Sequence, residues 1–280
     1  MDEDIKKSNW TRLDEPVSVM ASGDFYVVLP SNTITDIYPN NTTSDYEIPL
    51  PRALEFPTTY EVALVEIHFP HTWENIRSPF LGLEFGTVKS YTARGPEMVL
   101  HRTKLEHGFY DGVEDLVRAI DSIKPSGFRG KIFASKESKT VKVQLFPWEF
   151  IKFHRDMAAL LGFVEYEFVN SDPTRKRTFK APHIADIHAA MHNIYIYSSI
   201  VKETLVGNDW YPLLRIVPSE GEHGRNVHMS FQKPYYLEVA LDRISSIRII
   251  LCDDQATPVR FMFGKVICKL HFRRKKLRLV

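Results

Sequence analysis

Apolar and polar residues alternate along most of this chain, and a period of two predicts strands. Phe25-Tyr-Val-Val-Leu29 is a dense run of β-formers closed by Pro30. Tyr46-Glu-Ile-Pro-Leu50 alternates, and its Pro49 places it at a sheet edge, where a missing N–H costs no ladder bond. Tyr60 to Phe69 is the clearest strand. It directs Val62, Leu64, Glu66 and His68 to one side and Ala63, Val65, Ile67 and Phe69 to the other, and Pro70 ends it. Further strands are expected at Met98–Lys104, Asn193–Val201, Leu213–Val217, Tyr235–Val239, Ile247–Cys252 and Lys265–Phe272. Between them lie turns rich in Pro, Asn, Gly and Ser, with hardly any helical periodicity. That grammar indicates an antiparallel sandwich or barrel.

One stretch departs from it. In 111–123, Val113, Leu116, Val117, Ile120 and Ile123 share one helical face, with Asp111 placed to cap it and Glu114 in the first turn. A hairpin follows, Lys131–Ala134 and Val141–Phe146. A short helix at His154–Leu161 then stops at Gly162. The expected organisation is an arm at 1–22, a β-sandwich made of 23–105 and 166–274, an inserted α-β-β-α unit at 106–165, and a basic tail at 275–280.

Composition narrows the class. The chain has 280 residues, 44% hydrophobic and 12% aromatic, enough for a large buried core. Thirty-six basic residues against 35 acidic ones give a net charge of +1, which supplies no global attraction to nucleic acid. Basic charge is local. Arg273, Arg274, Lys275, Lys276 and Arg278 crowd the end of the chain, as the solvated guard of a strand edge or as a contact for nucleic acid or an acidic partner. Arg175, Lys176, Arg177 and Lys180 form a second group. Cys252 and Cys268 both sit in apolar runs and are expected as buried thiols. No apolar run reaches membrane-spanning length and no signal peptide is expected, so the Asn9, Asn40 and Asn41 sequons are expected to go unused in a reducing compartment.

Candidate chemistry is sparse. His183, His188 and His192 invite a metal reading, since His188 and His192 would share a helix face, but only Asp186 stands near them and on another face. The plainer reading is a surface helix before a strand. His68 and His71 read as a packing pair at a strand end. Asp253-Asp254 reads as a turn rather than an acid/base couple, because adjacent acids point apart. No nucleophile elbow, dinucleotide fingerprint or phosphate loop occurs. No catalytic, cofactor or metal residue is expected, and the chain is not expected to be an enzyme.

Several strings carry a family resemblance: Phe25-Tyr-Val-Val-Leu-Pro-Ser-Asn-Thr, Tyr38-Pro-Asn-Asn-Thr, Tyr60 through Trp73, Pro212-Leu-Leu-Arg-Ile-Val-Pro218 and Phe261 through Arg274. In the insert, Gly108-Phe-Tyr-Asp-Gly-Val-Glu-Asp-Leu and Leu160-Leu-Gly-Phe163 add to them. Over about 24–274 the chain resembles the minor capsid, or penton, protein of Polinton/Maverick elements and adintoviruses. The resemblance implies a mainly β chain, a single jelly roll with a small α+β insertion, with five copies filling an icosahedral vertex. It implies a virion protein that partners itself and a major capsid protein, without cofactor or membrane, assembled inside the host cell. The alternative is a jelly-roll binding module, lectin-like or adaptor, domesticated from such an element, with Trp73, Trp148 or Trp210 lining its site.

Overall fold

A computed structural model describes residues 18–32, 38–77, 81–93, 95–135, 137–189 and 191–275. The first strands are β1 (Ser18–Met20), β2 (Phe25–Pro30), β3 (Asp45–Glu55) and β4 (Tyr60–Pro70). Then come β5 (Gly82–Thr92), β6 (Gly95–Lys104), α1 (Val113–Ser122), β7 (Lys131–Ala134), β8 (Val141–Leu145), β9 (Phe150–Phe153), α2 (Arg155–Leu160), β10 (Glu167–Val169) and β11 (Arg177–Lys180). The remainder is β12 (Asn193–Ser198), β13 (Thr204–Val206), β14 (Asp209–Tyr211), β15 (Leu213–Pro218), β16 (Asn226–Ser230), β17 (Leu237–Glu238), β18 (Arg243–Cys252) and β19 (Ile267–Arg274).

Two antiparallel sheets face each other. One runs β3-β18-β12-β15, with β1 added beside β3, and the other runs β16-β4-β19-β2. The chain passes from sheet to sheet at β2–β3, β3–β4, β4–β12, β15–β16, β16–β18 and β18–β19, while β12 and β15 are neighbours in one sheet. That order of eight strands in two layers is a jelly roll. Between the layers lies one cluster of buried side chains, including Leu29, Tyr46, Tyr60, Leu64, Ile67, Phe69, Ile194, Ile249, Cys268 and Phe272. Tyr46 crosses it and donates its hydroxyl to the Leu29 carbonyl at 3.2 Å, so the polar end of a fully buried ring is satisfied. Both cysteines are free and buried, and burial pushes the Cys252 and Cys268 thiols up to about 11 and about 12.

The strict alternation read along β4 breaks in its middle. Register slips between Lys269 and Leu270 on β19, which face Glu66 and Leu64, so Val65 is the extra residue of a bulge. The bulge reverses the phase: Tyr60, Val62 and Leu64 face the core before it, Ile67 and Phe69 after it. Leu64 and Ile67, assigned opposite sides by alternation, pack in one cluster. Pro49 is flanked on one side by β18, where the register shifts between Ile244 and Ser246. On the other side β1 reaches only Ala53 to Glu55. The edge expected at Pro49 is therefore local, in a strand with neighbours on both sides.

A second buried cluster lies in the long connection between β4 and β12. It contains Leu116, Val117, Ile120, Val141, Val143, Leu145 and Met157, from the expected 106–165 segment. It also contains Ile76, Leu83, Phe85 and Leu105 before that segment and Phe168, Ala181 and Ile187 after it. Of these, Leu83, Phe85, Val141, Val143, Leu145 and Phe168 lie on the four-stranded β10-β9-β5-β6 and three-stranded β11-β8-β7 sheets, so segments read as sandwich material pack here instead. Alternation marks a strand but not the sheet that recruits it. The helix α1 begins at Gly112 without a side-chain cap, so Asp111 does not cap it. At α2 the His154 ring accepts from the Asp156 N–H at 3.3 Å, and Gly162 follows at φ +84°. Of the expected arm, Ser18–Met20 pair parallel with β3 and Ala21 is buried. Residues 1–17 lie outside the described residues.

Candidate functional site

Exposed apolar side chains mark one sheet margin and one hairpin, besides loop residues such as Val164 and Ile184. β2 ends its sheet, and its alternation sends Phe25, Val27 and Leu29 inward and Tyr26 and Val28 out. Tyr26 is 61% and Val28 56% exposed. Tyr26 stacks on His271 of β19 at 4.5 Å, and the Lys269 ammonium lies 5.3 Å from the centre of the same ring. Tyr235 is exposed as well, and Tyr236 donates to or accepts from the His271 ring at 2.7 Å. A second apolar group sits on the β13–β14 hairpin, where Leu205, Trp210 and Tyr211 project into solvent.

The basic residues expected as a nucleic-acid or partner contact are largely engaged within the fold. Arg273 donates from Nε and a terminal nitrogen to one Glu61 oxygen at 3.1 and 2.9 Å, and its guanidinium covers the Tyr236 ring at 3.4 Å. Arg274 donates to the Tyr60 hydroxyl at 3.3 Å. Lys275 reaches Glu238 at 2.7 Å; Lys202 and Lys275 together hold that carboxyl below the usual carboxylate range. Lys276 and Arg278 lie outside the described residues. In the second basic group, Lys176 sits 4.2 Å over the Phe146 ring beside Arg129 at 4.6 Å, and Arg177 covers Phe179.

The seam between sandwich and insert holds His71, His188, His192 and His223. Asn75 tethers the insert through two bonds to Tyr110, donating to its carbonyl and accepting from its N–H, both at 2.9 Å. Buried His71 lies 3.9 Å from the Trp73 ring and edge-on to Phe109, which stacks on His223 at 4.2 Å. A cavity of about 420 Å³ opens beside it, lined by Trp73, Arg77, Asp156, His188, Asp253 and Arg260 among others. Its acids are occupied. Asp253 accepts from the Gln255 and Thr257 N–H groups, both at 2.9 Å, in the turn expected for it. Asp254 turns away and accepts from the His192 and Asn193 N–H groups at 2.6 and 3.1 Å.

The expected helix around His188 and His192 is a turn. Asp186 accepts from the His188 N–H at 3.1 Å and local side chains compete with helical bonding. His192 Nε2 lies 3.0 Å from Asp186, while His188 Nδ1 faces the Asn75 amide at 3.3 Å, so the two histidines do not converge. His68 and His71 do not pair either. The His68 ring stacks at 4.3 Å on His228 of β16, a residue no sequence signal had marked. Among the described residues, Glu66, His68 and His228 are the group whose donor atoms lie close enough together to hold a metal ion. Of the tryptophans proposed for a ligand site, Trp73 is buried, Trp148 half-buried and Trp210 exposed.

These two sheets and their insert define a jelly-roll protein with an α+β insertion. No protein-family model matches the sequence, and no curated protein matches it. Among solved structures, the selenomethionine-labelled mavirus penton protein is similar at a TM-score of 0.48 and 13% identity, over 90% of this chain and 99% of that one. No helix among the described residues is long and apolar enough to cross a membrane.

Proposed function

We propose that this chain is a structural virion protein, the pentameric vertex subunit of a Polinton- or adintovirus-like element, and that it works by assembly rather than catalysis. One observation carries the reading: a single eight-strand jelly roll leaves apolar side chains on its terminal strand β2, with Tyr26 and Val28 turned to solvent. The family resemblance of the framework strings, Phe25 to Thr33 and Phe261 to Arg274 among them, supports it. Wedge-shaped sandwiches that bury one flank against another surface of the next copy make heterologous contacts, which close into a ring. The insert then stands at the rim, and the major capsid protein surrounds the ring. A salt-sensitive nucleic-acid contact through Arg274, Lys276 and Arg278 is a separate and smaller proposal, since Arg273 and Lys275 are held by acids of the fold.

The exposed Trp210-Tyr211 pair favours a second reading, a binding module whose hairpin takes a sugar or peptide. Mass measurement of the purified protein, alone and co-expressed with a candidate major capsid protein, separates the two. The vertex reading expects a five-copy species or incorporation into shells. A strictly monomeric protein that never enters particles overturns it, and glycan binding by that monomer establishes the second.

A further inference from the structure

β4 and β16 pair antiparallel, and the register sets His68 directly opposite His228. Opposed residues of an antiparallel pair share a face, and so do residues two apart on one strand. Glu66 therefore joins the two histidines on the outer face of the sheet, away from the core that Ile67 and Phe69 enter. Glu66 Oε1 lies 2.8 Å from His68 Nε2 and 3.2 Å from His228 Nε2, and the two rings stack 14° from parallel. Three donors from two strands thus converge on one point. Glu66 is 27% exposed and His228 53% by side chain, so the point is reached from solvent while its ligands stay braced by the ladder.

We propose that His68, His228 and Glu66 form a binding site for a single divalent transition-metal ion, of which Zn²⁺ is the natural occupant. Two imidazoles and a carboxylate are a donor set that zinc takes, with metal–ligand distances of about 2.0–2.2 Å. Tetrahedral ligands at that distance stand about 3.3 Å apart. The donor atoms lie within 4.8 Å of one another, and binding needs a small opening of the carboxylate and a turn of the two near-parallel rings so that both Nε2 lone pairs face one ion. Binding needs a lone pair on each Nε2, so the hydrogen bond between His68 Nε2 and Glu66 Oε1 gives way and each ring holds its single proton on Nδ1. Lys269, opposite Glu66 on β19, holds Oε2 at 3.4 Å and directs Oε1 toward the rings, which makes the carboxylate a one-oxygen ligand. The fourth position faces water.

Such an ion ties β16, the terminal strand of its sheet, to β4. The site is independent of the capsid reading, because it needs only the register of two strands. It departs from the sequence expectation of no metal ligand, and His228 meets Glu66 and His68 only through pairing across more than 150 residues of chain.

The test uses untagged full-length protein titrated with Zn²⁺ by calorimetry and with Co²⁺ by visible absorption. One ion per chain and an intense tetrahedral Co²⁺ spectrum are expected. His68→Ala and His228→Ala are each expected to weaken binding at least by the roughly 10- to 100-fold that loss of a supporting partner costs. His107→Ala, which removes an exposed histidine paired with Glu74 at 2.6 Å, is expected to leave binding unchanged. If a ligand variant fails to fold, the wild-type Co²⁺ spectrum decides. Folded wild-type protein with no such spectrum and no one-to-one uptake, or uptake unaffected in both ligand variants, overturns the proposal.

Discussion

His71 shows how one residue couples the seam to pH. Its ring is buried against Trp73, and its Nδ1 has no hydrogen-bond partner among the described residues. Burial, reinforced by nearby His223 and His188, pushes the imidazole below its ordinary value of 6.5. The folded protein thus resists a proton that the unfolded chain accepts. Linkage then leaves stability intact above about pH 6.5 and lowers it as pH falls through the range between the unfolded and folded values. Urea unfolding of wild type and His71→Leu from pH 7.5 to 5 checks this. The wild-type stability is expected to fall more steeply below about pH 6.5; parallel curves would show that His71 carries none of the effect. The sequence paired His71 with His68, whereas the ring packs on Trp73, two residues further along. It did not reveal Phe109 and His223, because they arrive from distant loops.

At the scale of elements, the bulge at Val65 is the feature that alternation misread. A period-two reading puts Leu64 and Ile67 on opposite faces, so it expects only one to be costly to truncate. The structure buries both, at 1% and 0% exposure. Leu64→Ala and Ile67→Ala are each expected to cost about 2–5 kcal/mol, and Val65→Ala well under that. Guanidinium denaturation of the three variants decides it: a large loss for only one of the first two restores strict alternation. The helices were legible because their signals are local. The apolar face of α1 and the glycine after α2 are readable from adjacent residues, although α1 starts at Gly112 with no help from Asp111. The extent of the insert was not legible, since β5, β6, β10 and β11 carry the same pattern wherever they dock.

At the scale of the whole molecule, assembly through β2 makes a sharp expectation. A lysine at a margin blocks edge and face contacts without touching the core. Tyr26→Lys combined with Val28→Lys is expected to abolish any five-copy species while leaving the thermal midpoint of the monomer nearly unchanged. Native mass spectrometry with calorimetry measures both. Rings that persist in this variant would move the contact away from β2, toward the hairpin with Trp210 or the insert.

The amino-acid pattern alone determined that the chain is mainly β, that Cys252 and Cys268 are buried thiols, that Asp253 serves a turn and that one helical block interrupts the strands. Each of these follows from a residue and its near neighbours, which is where backbone preference and burial act. The tertiary structure decided what depends on distant partners: which strands share a sheet, that Arg273 and Lys275 answer Glu61 and Glu238, and that His228 lies against His68. Register is set by pairing between segments far apart in the chain, so no window of adjacent residues contains it.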